Sequence, residues 1–158
     1  MLPTSSEPLE MIPILTFGLG GQHYALHIES VIEVAAMVEL VTISNMPSEF
    51  LGVANRHGEV LPVLDLRPVM NCPALPIDEW TLFIVGQHEG RMIGLVVDDV
   101  QQVEYVPAVQ IHKSSASGTN IRGIISYKQR LIQLVALAPL IAVYSTSTTT
   151  DDMLKVEL

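Results

Sequence analysis

Gly52-Val53-Ala54-Asn55-Arg56-His57-Gly58-Glu59-Val60-Leu61-Pro62-Val63-Leu64-Asp65-Leu66-Arg67 is the stretch around which this chain is organised. Its centre, Asn55 to Glu59, is polar, and Gly58 offers the positive φ that tight hairpin turns demand. Apolar runs flank that centre. The second run, Val60 to Leu66, shows no helix-length amphipathic pattern and reads as a buried strand. Pro62 lies inside it. Proline donates no ladder hydrogen bond, so this strand is expected at a sheet edge or a bulge. A hairpin with one open side suits a surface that meets another protein.

Composition narrows the class. Of 158 residues, 49% are hydrophobic and only 5% aromatic, so the core must be built from Val, Ile and Leu, which favours strands. No uninterrupted apolar run approaches the roughly 18 residues of a membrane span, so no membrane insertion is expected. Met1 to Glu10 lacks the basic and apolar regions of a signal peptide, which points to the cytoplasm. The net charge is −9, and the 8 Lys and Arg are scattered. Nucleic acid needs a basic stripe, so it is excluded as a partner, and anionic membrane surfaces are disfavoured. Cys72 is the only cysteine, which rules out an intrachain disulfide and a cysteine-rich zinc site.

Outward from the hairpin, the chain reads as short strands joined by turns. Ile12 to Phe17 and His23 to Ile28 flank a glycine turn. A short helical turn near Glu29 leads to a strand through Val34, and Val38 to Ile43 is a further strand candidate. Pro68 to Asp78 is a connector. Trp80 to Val85 and Met92 to Val97 form a second strand pair, Glu104 to Val106 and Val109 to Ile111 are shorter pieces, and Ser114 to Asn120 is a loop. Ile121 to Tyr127 and Arg130 to Leu137 form the last hairpin, and Ala138 to Val143 a short helix. Residues 1–11 and 145–158 read as flexible tails.

The two halves of this strand pattern match. Val31 aligns with Val100 at an offset of 69 residues, and Gly52 with Gly123 at 71. From the second anchor, Leu61 falls on Ile132, Leu66 on Leu137 and Pro68 on Pro139. A tandem repeat of two all-strand units follows, each with the strands a small closed barrel needs.

The pattern Gly52, Asn55, Gly58, Val60, Pro62, Val63, Asp65, Leu66 and Arg67 resembles the signature hairpin of CheW-like chemotaxis coupling domains. The likeness covers residues 12–143. It implies a single all-β domain of two five-stranded SH3-like β-barrels with short helical turns, about 12–70 and about 79–143, with strand exchange between the barrels allowed. It implies a non-enzymatic adaptor joining the cytoplasmic tip of methyl-accepting chemoreceptors to the regulatory domain of a CheA-type histidine kinase, recruited to receptor arrays at the inner membrane. The alternative is a scaffold of the same fold serving another sensory, pilus-motility or polar-localisation system. By position, the resemblance puts Val31, Gly52, His57 and Gly58 on the receptor side and Glu33 and Val34 on the kinase side. The receptor helices are expected in an apolar groove between the barrels. The chain departs from the family at His57, where Arg is usual and Arg56 comes one residue early, and at Val135-Ala136, where the family often has Leu-Asp.

No cofactor, metal or catalytic set is expected. His23 and His27 share a strand rather than a zinc-binding helix face. Gly18, Gly20 and Gly21 precede a strand, where a dinucleotide loop would need a helix. Asp98 and Asp99 read as turn formers beside Glu29. Asp65 and Arg67, two residues apart, read as an ion pair at a surface or barrel rim.

Overall fold

A computed structural model describes residues 9–113 and 120–145. The loop at 114–119 and most of both expected tails lie outside the described residues.

Among the described residues, eleven strands form two sheets. The chain begins with β1 (Met11–Leu19) and β2 (Gln22–His27), then a 3-10 turn, β3 (Val31–Ala36), β4 (Phe50–Arg56), β5 (Glu59–Asp65) and the one-turn helix α1 (Leu66–Val69). It continues with β6 (Leu82–His88), β7 (Arg91–Val96), β8 (Asp99–Pro107), β9 (Ile111–Lys113), β10 (Ile121–Tyr127), β11 (Arg130–Val135) and α2 (Leu137–Leu140), which runs into a π-helical turn at Ile141–Ser145. One sheet has the order β3-β6-β7-β5-β4 and the other β8-β1-β2-β11-β10-β9. These are two small SH3-like barrels.

The barrel boundaries differ from the contiguous division at 12–70 and 79–143. The first barrel is continuous from β3 to β7, whereas the second joins the N-terminal hairpin β1–β2 to β8–β11. Two parallel pairings make the exchange: Val63 to Asp65 of β5 lie beside Gly94 to Val96 of β7, and Ile132 to Leu134 of β11 beside His23 to Ala25 of β2. The repeat is intact within this arrangement. Sheet positions of β3, β6, β7, β5 and β4 correspond to those of β8, β1, β2, β11 and β10. The expected strand Val38 to Ile43 is reduced to one bridge, Val41 to Val53, at the place where the second repeat pairs His112 with Ile124.

Pro62 also sits differently from its expected edge or bulge. Strand β5 is internal, between β4 and β7. Val53, opposite Pro62, turns its backbone N–H and C=O toward Val41 at 2.9 and 2.8 Å. The ring nitrogen of Pro62 therefore faces the β7 side, where pairing starts only at Val63. The missing donor costs no ladder bond.

Three apolar clusters are formed by the described residues. Ala54, Leu61, Val63, Phe83, Val85 and Val96 fill the first barrel. Ile14, Ala25, Val106, Ile125, Ile132 and Leu134 fill the second. The largest lies between them and includes Leu15, Phe17, Leu26, Phe50, Leu64, Ile84, Leu95, Leu137, Leu140 and Tyr144. The period-2 alternation of each strand sends one face to its own barrel and the other to this shared layer. The C-terminal turn closes that layer: Tyr144 stacks on Phe50 at 6.5 Å and donates its hydroxyl to Glu49 at 2.7 Å.

Candidate functional site

Asp65 and Arg67 are not a rim pair. They are 3% and 2% exposed, at the entrance of α1. The Arg67 guanidinium donates to Asp65 Oδ1 at 2.9 Å and Oδ2 at 3.1 Å, to the Leu75 carbonyl at 3.0 Å and to Asp98 at 3.5 Å. Asp65 also accepts the Arg67 amide at 3.1 Å, capping α1. Asp98 is no mere turn former, since it accepts the Gly20 amide at 2.8 Å as well. One buried fork thus ties β5, the connector, the β7–β8 junction and the β1–β2 turn. Burial alone would lower the Arg67 pKa, but the hydrogen bond and charge of Asp65, with Asp98, raise it instead. A charge held in this way is structural and unavailable to a substrate.

The hairpin that carries the family signature turns at His57 and Gly58, with φ of 51° and 85°. Two consecutive positive φ values are what a tight hairpin of strand-matched twist requires. Asn55 Oδ1 accepts the Gly58 amide at 2.9 Å and locks the turn. His57 is fully on the surface. Gly52 is buried, with φ +144°, and a Cβ there would lie 2.5 Å from the Val41 carbonyl. Only glycine lets the backbone of residue 41 close against β4. Gly52 therefore positions the surface rather than presenting a side chain.

Strand β3 is the edge of the first sheet. Val31 is half-buried against the layer between the barrels. Val34 is 40% exposed and Ile32 36% exposed. Glu33 reaches across to the other edge strand, where Arg56 Nε donates to its carboxylate at 2.9 Å. The structure thereby joins Glu33 and Arg56, the residue before His57, and so links β3 to β4. The four receptor-side candidates do not form one pocket. Gly52 and His57, five residues apart on extended chain, are separated by about 17 Å.

Two cavities flank these surfaces. One, about 240 Å³, lies beside Gly58 between Val41, Val53 and Val60. The other, about 270 Å³, opens between the barrels and is walled by His27, Ser30, His88, Arg122 and Val135 to Ala138. Sequence reasoning missed the second. Its signal was present in the repeat: Ala136 and Ala138 stand where the first unit has Asp65 and Arg67. Among the described residues, no group of three or more His, Cys, Asp or Glu side chains could hold a metal ion. No helix there is long and apolar enough to cross a membrane.

Two barrels sharing a core, with an open edge strand, an exposed hairpin and buried charges committed to structure, define a docking module. The comparisons make this specific. Residues 13–144 match the CheW-like domain family, and the chain belongs to that family. It is 29% identical over 133 residues to the chemotaxis protein CheW of Klebsiella aerogenes, a span covering 81% of this chain and 80% of the relative. Protein FrzA of Myxococcus xanthus is 32% identical over 95 residues, 60% of this chain and 59% of that one. Among solved structures, the scaffolding protein TtCheW of Thermoanaerobacter tengcongensis is similar with a TM-score of 0.74 at 24% identity, covering 80% of this chain and 90% of that chain.

Proposed function

We infer that this chain is a non-enzymatic adaptor that couples chemoreceptors to a CheA-type histidine kinase in chemotaxis signalling. The family match across residues 13–144 carries this reading. Its place is the cytoplasm, at receptor arrays on the inner membrane.

The division of labour among residues is ours. Glu33 and Val34 on edge strand β3 meet the kinase's own regulatory barrel, edge to edge; an exposed edge with apolar side chains supports that contact. Val31, His57 and Gly58 meet the helical tip of the receptor, with Gly52 shaping the backbone beneath them. The Glu33–Arg56 pair links edge strand β3 to the residue before His57.

The test is reconstitution. The full chain is titrated with a receptor signalling-tip fragment and a CheA regulatory-domain fragment, separately and together. Binding of each, and a ternary complex when both are present, is expected. Failure to bind either overturns the reading. The FrzA likeness favours a second reading, an adaptor of the same fold in another sensory or motility system. Identification of the kinase retained on the chain from native lysate separates the two.

A further inference from the structure

The cavity between the barrels is the second repeat's counterpart of the buried Asp65–Arg67 site. In the first repeat, an acid and a base fill that position with their own side chains. In the second, the equivalents are Ala136 and Ala138, and about 270 Å³ is left open. Three nitrogen-bearing side chains wall that space: His27 from β2, His88 from β6 and Arg122 from β10. This concentration occurs in a chain of net charge −9.

The acids nearby do not neutralise it. Arg56, Arg67 and Arg130 each hold a carboxylate, whereas the side chains of Arg91 and of the exposed Arg122 have no ion pair or hydrogen bond among the described residues. Glu89 is 84% exposed and 3.8 Å from His88 Nε2. Glu29 acts on His27 more weakly than burial and Arg122 do, and together these hold the His27 pKa below its ordinary value. His27 is then a neutral donor or acceptor at pH 7, and Arg122 supplies a permanent fork that fits a carboxylate. Ser30 adds a hydroxyl.

We propose that this cavity is a carboxylate pocket, which takes an Asp or Glu side chain of the receptor helix docked between the barrels. The incoming acid stands where Asp65 stands in the first repeat, and Arg122 holds it. The pocket fixes the register of that helix. This rests on the adaptor reading above, since the receptor is the partner named.

The test uses the full chain, Arg122→Gln and Ala136→Asp. The second variant supplies the missing acid internally, in the position Asp65 holds. Each is titrated with a receptor signalling-tip fragment, and unfolding curves confirm that the variants are folded. Wild type is expected to bind, and both variants to bind about tenfold or more weakly, the scale of one charge-assisted hydrogen bond. Equal affinity of wild type and both folded variants overturns the proposal. If wild type itself does not bind, the adaptor reading fails, and glutarate then decides about the pocket. A saturable shift of the His27 ring resonances in wild type that is absent in Arg122→Gln keeps the carboxylate site. No shift, or the same shift in both, removes it.

Discussion

Glu104 illustrates how one side chain holds two distant strands. It is 7% exposed on β8, and Arg130 at the start of β11 donates to its two oxygens at 2.7 and 2.8 Å. That hydrogen bond, against the opposing effect of burial, lowers the carboxyl pKa below 4.5. A lowered carboxyl contributes stability that is present above the unfolded value and is lost as pH falls through the folded one. Glu104→Gln is therefore expected to cost about 1.5 kcal/mol at pH 7, and denaturant unfolding of both proteins should show the gap closing below pH 4.5. A gap independent of pH would mean that packing, not charge, holds β8 to β11. His57 is the opposite case, exposed and carrying no structural duty. Arg56 is held by Glu33 and is not free to replace the family's usual arginine without breaking that pair. His57→Arg should then tighten binding of a receptor signalling-tip fragment by about 1 kcal/mol, the scale of one added charge-assisted contact. The change keeps a positive φ at an unbranched residue, so the turn should survive it, and unchanged affinity in calorimetry would count against a receptor contact there.

At the scale of elements, strand β3 is the sheet edge on which the proposed kinase contact rests. Replacing Glu33 would disturb stability as well as binding, because Arg56 would be left facing the new side chain. With side chains 20% and 40% exposed, that pair is worth at most about 1 kcal/mol. Val34→Lys is the cleaner probe. It should weaken binding of a CheA regulatory-domain fragment at least tenfold and alter unfolding by less than about 0.5 kcal/mol, as exposed substitutions usually do. A titration in which Val34→Lys binds like wild type would take β3 out of the kinase contact. The strands themselves were legible in the sequence because turn glycines and alternating Val, Ile and Leu mark them. Gly52, Gly58 and the repeat offset of 71 residues anchored the hairpins correctly. The pairing of strands was not legible. Nothing local to β5 says that its neighbour is β7, so Pro62 reads as an edge residue although the strand is internal. Burial of Asp65 and Arg67 was hidden for the same reason: their partner Asp98 comes 31 residues after Arg67.

At the scale of the whole molecule, exchange of hairpins makes the two repeats inseparable. The N-terminal hairpin β1–β2 belongs to the barrel completed by β8–β11, while β6–β7 completes the barrel begun by β3–β5. Between them, the largest apolar cluster draws residues from β1, β2, β4, β5, β6, β7, β11 and both C-terminal helical turns. The Arg67 fork adds a polar tie across the same junction, reaching Asp98 and, through it, Gly20. Neither half of the sequence contains a complete barrel, so each alone would expose strand edges and apolar faces that the other half covers. Residues 1–78 and 79–158, expressed separately, are therefore expected to lack a cooperative melting transition. Mixed, they should recover strand signal and melt as one unit, since the connector contributes loop closure and the Arg67–Leu75 bond, which stays within the first fragment. The intact chain should likewise unfold in a single transition. Circular dichroism and calorimetry of the two fragments and their mixture provide the check, and two independently folded halves would contradict the exchanged topology.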